Sequence, residues 1–161
     1  MFCIILLCLT AATVILQGEA TIDLRKFGKA PRINKSYTVY TDKQVNWHEA
    51  YIYCERMNMT LASFDSEQEY NQLVKQIKRS TCGNTGGFWT AGYLTQEGGV
   101  RWLVSGKPLQ FTPWCPGHPP PDRRVRLVAL RPDYHYKLIA EFMPSQNYIA
   151  CEKKSVDRVL N

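Results

Sequence analysis

Three histidines, His48, His118 and His135, are the side chains whose charge changes near neutral pH, and with Asp or Ser partners they would be candidates for acid–base or nucleophilic chemistry. His48 falls on the polar side of a helical pattern and His118 lies in a proline-rich stretch. No Gly-x-Ser-x-Gly or His-Glu-x-x-His motif orients any of the three, so the chain is not expected to be an enzyme. The denser constellation is cationic. Arg123, Arg124, Arg126 and Arg131 crowd one stretch, with His118 and Lys137 close by. A guanidinium is a planar fork of donors that matches sulfate, phosphate or carboxylate, so the stretch is a candidate anion site, weighed against a plain solvated basic face. Asp122 is the one acid nearby, and a single carboxylate does not hold a hard cation.

These residues sit in a chain of 161 residues with formal charge +6. Phe2 to Leu16 form an apolar run ahead of Gly18-Glu19-Ala20, the pattern of a removable secretory leader at 1–20. The run falls short of the roughly 20 apolar residues that span a bilayer. A secreted, extracellular protein is therefore expected, and loss of Glu19 with the leader would raise the charge from +6 to +7. Cys3 and Cys8 would leave with it, while Cys54, Cys82, Cys115 and Cys151 would remain. An even count in an oxidising compartment points to two disulfides, with three pairings open, and no C-x-x-C cluster suggests zinc. Asn34-Lys35-Ser36 and Asn58-Met59-Thr60 are glycosylation sequons, which would put Asn34 and Asn58 on the surface.

Residues 21–35, basic and broken by Gly28 and Pro31, read as a flexible arm, 36–154 as one domain and 155–161 as a tail. Ser36 to Tyr40 has strand composition. Asn46 with Glu49 forms a capping box, flanked by a Val45/Ala50 staple, ahead of a helix whose Trp47, Ala50, Tyr51, Cys54 and Met57 share a face. Ser66 with Glu69 makes a second box before the stripe Tyr70, Leu73, Val74 and Ile77. Phe88 to Tyr93 and Val100 to Val104 should pair across Gly98-Gly99, and Trp114 to Pro121, with four prolines, should be a stiff surface loop. Val125 to Leu130 and Tyr148 to Glu152 are the last two strand candidates.

An inward helix cysteine at 54, Phe88-Trp89-Thr90-Ala91-Gly92, the loop Trp114-Cys115-Pro116-Gly117-His118-Pro119 and the closing Ile149-Ala150-Cys151-Glu152 stand in an order that resembles the C-type lectin-like domain family. The resemblance covers about Tyr37 to Lys153 and is nearest in style to secreted insect members. It implies an α+β fold, two helices flanking antiparallel sheets with a long irregular loop, and a Cys54–Cys151 disulfide that leaves Cys82 and Cys115 to pair. The family's second disulfide would join positions occupied here by Leu127 and Met143. The same comparison makes Trp89, Trp102 and Trp114 core residues rather than sugar-stacking platforms, and allows Pro119 a cis bond.

Sugar-binding members hold calcium through carboxylate and amide oxygens, whereas the matching positions here are His118-Pro119-Pro120, Val125-Arg126 and Leu138-Ile139-Ala140. The resemblance therefore implies a recognition protein whose calcium site is lost. Its candidate ligand residues are His118, Asp122, Arg123, Arg124 and Arg126, and its ligand a glycan or other anionic surface. An innate-immune role follows from that reading. The alternative is a protein–protein interaction module without sugar binding. Neither nucleic acid nor a membrane span is expected, and the oligomeric state is left open.

Overall fold

The computed structural model describes residues 32–81, 86–97, 99–122 and 124–157. The chain enters on a long strand β1 (Arg32–Val45), followed by α1 (Trp47–Arg56), a short β2 (Thr60–Leu61) and α2 (Glu67–Ser80). Then come β3 (Phe88–Leu94), β4 (Val100–Trp102), β5 (Leu127–Arg131), a 3-10 turn (Pro132–Tyr134), β6 (Lys137–Glu141) and the long return strand β7 (Asn147–Asp157).

The sheet runs β1-β7-β3-β5-β6, with β2 added to β7 and β4 to β3. Every ladder is antiparallel except β3 with β7, where Phe88 lies opposite Tyr148 and Trp89 opposite Ile149. The sheet is thus mixed, with its central strands buried and nearly continuously apolar, as strands covered on both faces must be. β3 reads Phe-Trp-Thr-Ala-Gly-Tyr-Leu with only Tyr93 partly exposed. Trp89 donates its indole N–H to Val45 O at 2.8 Å and Thr90 donates its hydroxyl to Val128 O at 2.7 Å, so the polar atoms of this strand are satisfied inside the core. Gly92 is required where it stands, since a Cβ there would fall 2.9 Å from Val128 Cβ.

The first capping box forms in full. Glu49 N donates to Asn46 Oδ1 at 3.0 Å and Asn46 N to Glu49 Oε2 at 3.2 Å. Ala50 and Cys54 face the core, Trp47 stacks on Tyr51, and Trp47 Nε1 donates to Thr90 O at 2.9 Å. Met57 does not complete the stripe: it is the C-terminal cap and 51% exposed. The second box is half made. Ser66 Oγ accepts from Glu69 N at 3.2 Å, but the Glu69 carboxylate accepts from Asp65 N and from Lys35 Nζ instead of reaching back to Ser66. The charge-assisted bond from the buried lysine, together with the Asp65 amide, turns the carboxylate away from the Ser66 N–H.

That lysine corrects the expected arm, because β1 begins at Arg32 and Lys35 is part of the sheet. Its side chain is 4% exposed and bridges Asp65 at 3.1 Å and Glu69 at 2.8 Å. β7 likewise continues through Asp157, past the expected tail boundary. Residues 1–31, where the leader and most of the arm are expected, and 158–161 lie outside the described residues. Cys54 and Cys151 form the expected disulfide, with a Cα–Cα separation of 5.6 Å across 97 residues of sequence.

Two further expectations are corrected. The strand after Gly99 stops at Trp102, and Leu103 and Val104 turn away to solvent, 42% and 54% exposed. Leu138-Ile139-Ala140 is the middle of a buried strand, β6, paired with β5 from Leu127↔Glu141 to Arg131↔Lys137. The two positions read as a lost disulfide also differ in kind. Leu127 is buried, whereas Met143 is 60% exposed at the tip of the β6–β7 turn.

Candidate functional site

Between β4 and β5 the chain makes the long loop, 103–126, and backbone hydrogen bonds tie it to β6. Cys115 N donates to Leu138 O and Leu138 N to Pro113 O, both at 2.9 Å, and His118 Nδ1 accepts from Ala140 N at 3.1 Å. The His118–Pro119 peptide is cis. At its root the loop is anchored by Phe111, which packs on Phe64 and Tyr70. The loop is therefore positioned by ladder-like bonds and by aromatic contacts.

Beyond His118 the loop meets the turn that closes β3 and β4. Together they line a groove of about 260 Å³ formed by Leu94, Thr95, Gln96, Glu97, Pro119, Pro120, Pro121, Asp122, Val125 and Arg126. One wall is the proline run and the other the polar turn, which is braced by Thr95 N donating to Gly99 O at 2.7 Å and Gly99 N to Thr95 Oγ1 at 3.1 Å. Arg126 is pinned through its backbone, accepting from Leu94 N at 2.7 Å and donating to Glu141 O at 3.3 Å. Its guanidinium has no ion-pair partner among the described residues.

The structure separates the expected arginine cluster. Asp122 and Arg126 line the groove, and His118 stands behind it with its Nδ1 engaged by β6. Arg124 is bound to Asp122 by its Nε and guanidinium nitrogens at 2.8–3.2 Å. Arg131 lies at the far end of β5 and pairs with Asp133 at 2.7 Å and Glu141 at 3.3 Å. Those carboxylates hold its guanidinium above its ordinary pKa, with Asp133 first among the causes, and Arg131 in turn holds Asp133 low. Lys137 is exposed beside Arg131 on β6, and Arg123 lies outside the described residues.

The Arg124 hydrogen bonds, first from the side chain and then from the backbone N–H, depress Asp122 to about 2. A carboxyl ionises near 3.9 in an unfolded chain, so the ion pair favours the folded loop above that pH and is lost as the pH falls through about 2. Carboxyl NMR of Asp122 in the folded protein is expected to show a midpoint near 2. A midpoint near 4 would mean that the ion pair does not form in solution. Glu97 across the groove is also lowered, by its own backbone N–H, by Thr95 and by Arg101.

The calcium positions implied by the family do not fit a hard cation. Leu138, Ile139 and Ala140 are buried strand residues, Pro119 and Pro120 carry no side-chain oxygen, and His118 offers nitrogen already bonded to the backbone. Asp122 presents its oxygens to Arg124.

The turn residues Thr95, Gln96 and Glu97 were not singled out from sequence. Their polar composition beside a glycine pair is a turn signal and nothing more, and only the folded hairpin lays them against the prolines. The three histidines stand on separate elements: α1, the loop and the end of the 3-10 turn. None shares a hydrogen bond with a carboxylate among the described residues. Cys115 is half-buried without a disulfide among the described residues, and Cys82, its expected partner, lies outside them. Asn34 is exposed on β1, and Asn58 is exposed in a left-handed turn (φ 55°) after α1.

A disulfide that ties the helix α1 to the closing strand, two helices against a mixed sheet, and a long loop hung between β4 and β5 make up a C-type lectin-like fold. Similarity to known proteins agrees. No protein-family model matches the chain. C-type lectin mosGCTL-7 of Aedes aegypti is 30% identical over 78 residues, 47% of this chain and 52% of the relative. C-type lectin 37Da of Drosophila melanogaster is 29% identical over 100 residues, 62% of this chain and 51% of the relative. The chain thus spans about half the length of these curated relatives. Among solved structures, the cow C-type carbohydrate-recognition domain of CD23, determined in the presence of a GlcNAc2Man3 oligosaccharide, shares the fold. It matches with TM-score 0.62 and 24% identity, over 75% of this chain and 88% of that one.

Proposed function

We propose that this domain is a recognition module that binds carbohydrate directly, without calcium, in the groove between the β3–β4 turn and the proline loop. The observation that carries the reading is the groove's lining, a floor of Leu94, Val125 and three prolines rimmed by Thr95, Gln96, Glu97, Asp122 and Arg126. Convergent polar groups around an apolar floor are what a small-ligand site needs. Carboxylates accept from sugar hydroxyls, a guanidinium donates to ring and hydroxyl oxygens, and flat proline rings pack against the C–H face of a sugar. Glu97 and Asp122 offset the cations there, so a neutral or singly charged sugar suits this groove better than a polyanion. The lectin names of the relatives and the oligosaccharide in the cow structure's title support the same reading.

A glycan array read with calcium and again with chelator is expected to give the same binding in both. Arg126→Ala should weaken it about tenfold, as for loss of one hydrogen bond to a charged group. Binding that vanishes with chelator, or that ignores Arg126→Ala, would overturn the proposal. A second reading, a protein partner, is favoured by Phe142 and Met143, 44% and 60% exposed in the turn just beyond Glu141, whose carbonyl holds Arg126. A stoichiometric partner that sugars do not displace would support it.

Secretion is part of the proposal. It rests on the leader pattern and on a disulfide that an oxidising compartment preserves. No helix among the described residues is long and apolar enough to cross a membrane. The exposed sequon residues Asn34 and Asn58 are the proposed glycosylation points.

A further inference from the structure

In the loop groove Asp122 and Glu97 stand beside Arg126, whereas another face of this basic chain presents positive charge with no carboxylate beside it. That face is the second half of α2. Lys75, Lys78 and Arg79 follow one another on a helix whose residues three and four positions earlier are Asn71, Gln72, Val74, Lys75 and Gln76, with no acid among them. Side chains at those spacings are the neighbours that would neutralise them. Lys78 and Arg79 lie in the last turn, where cations also favour the helix dipole, but Lys75 lies a turn earlier and has no such role. Lys78 rests over the Tyr136 ring, whereas Lys75 and Arg79 are exposed on the side that faces β1.

There the helix and the strand enclose a groove of about 280 Å³, lined by Lys35, Ser36, Tyr37, Gln72, Lys75, Gln76 and Arg79. No carboxylate contributes to it, in contrast to the loop groove with Glu97 and Asp122. The charge of Lys35 is already taken by Asp65 and Glu69, so the field in the groove comes from Lys75 and Arg79. Between them stand two amides and a hydroxyl, groups that both donate and accept.

We infer that this groove is a second binding site, on a different face from the loop, and that it takes a sulfated glycan chain. Lys75 and Arg79, one helical turn apart, would each meet a sulfate, and Gln72, Gln76 and Ser36 would meet the hydroxyls between them. A bilayer surface fits less well, since the groove is concave and offers no exposed apolar side chain to insert. Single-stranded nucleic acid fits less well too, because the one aromatic ring in the lining, Tyr37, is buried and gives no stacking face.

The probe is a heparin oligosaccharide, titrated against the whole chain at several salt concentrations. Lys75→Gln/Arg79→Gln is expected to weaken binding at least tenfold near physiological salt. It should also flatten the log–log salt dependence by about one to two, as counterion release predicts for two lost contacts. Lys107→Gln/Lys137→Gln removes the same charge from exposed sites elsewhere and should change binding less than twofold. Gln76→Trp, which fills the groove without changing charge, should weaken heparin binding as the first variant does. Equal losses in the two charge variants would mean diffuse attraction and no site. Full binding by Gln76→Trp would likewise overturn the groove. Unfolding curves on all three variants exclude a folding defect as the cause. The loop groove is read with array glycans and this one with heparin, so either proposal can fail while the other stands.

Discussion

Replacing Cys54 and Cys151 together by alanine is expected to lower the unfolding free energy by about 4.7 kcal/mol, the chain-entropy value for releasing a loop of about a hundred residues. The bond spans 97 residues and joins α1 to β7 beside Leu61, so β2 to β6, α2 and the long loop all lie inside the closed loop. Both cysteines are fully buried, so the change also removes packing within the core, and the loop-entropy value sets the scale rather than the ceiling. For a domain of this size each kcal/mol moves the melting temperature by roughly 3–5 °C, which puts the expected fall on the order of 15 °C. Thermal unfolding of the variant beside the parent measures it. A fall under 5 °C would mean that the denatured chain is already compact enough for the bond to constrain little.

Glu152→Ala should cost nearly as much, about 3–5 kcal/mol, because it breaks a buried charged network from the inside. Glu152 is 1% exposed, and its Oε2 accepts from both Ser63 N and Ser63 Oγ at 2.8 Å, while Lys154 lies 3.3 Å from Oε1. Lys35 reaches the same serine and also binds Asp65 and Glu69, and Tyr37 donates to Ser63 O at 2.7 Å. Alanine at 152 would leave the Ser63 N–H buried without an acceptor, and glutamine, which keeps an acceptor oxygen, should recover part of the loss. Urea unfolding of the two variants tests the ranking. Equal stabilities for the alanine and glutamine variants would show that the hydrogen bonds to Ser63 contribute nothing.

The same network sets an alkaline limit. Burial works against the Lys35 ammonium, but its hydrogen bond to Glu69 and the charges of Glu152 and Asp65 outweigh that and raise its pKa. Burial, with the same acids, raises the Tyr37 phenol. Lysine in the unfolded chain titrates near 10.4, so its contribution is complete below that pH and is lost as the pH rises through the raised folded value. Unfolded tyrosine ionises near 10, ahead of the folded form, and so pulls in the same direction. Stability should therefore decline above about pH 10, and less steeply in Glu152→Ala.

Much of the frame is legible in the residues taken in order. The Asn46/Glu49 box, the helical spacing of α1 and α2 and the Thr95–Gly99 turn are set by residues one to four apart, and β3 is legible in the composition of its own residues although its ladders are made with β5 and β7. Errors fall where a distant partner intervenes. Glu69 looks like the closing half of a capping box but is held by Lys35, 34 residues away. Lys35 in turn looks like part of a solvated arm, because nothing near it in sequence is acidic. Leu138-Ile139-Ala140 is too short an apolar run to declare itself a strand until β5 supplies the other side of the ladder.

The binding end divides in the same way. Residue types alone determine that the positions matched to calcium ligands by the resemblance carry no side-chain carboxylate or amide, because no folding gives Pro120 or Leu138 a side-chain oxygen. The crowding of Arg123, Arg124, Arg126 and Arg131 also belongs to the sequence, but whether it forms one field was decided only in three dimensions. Asp122 bends back onto Arg124, Asp133 and Glu141 take Arg131, and Arg126 is left facing a turn that starts more than 25 residues earlier. Charge depends on distance through space, and β5 separates Arg126, just before its first residue, from Arg131 at its other end. The sequence therefore determined which groups were available, and the tertiary structure decided which of them could act together.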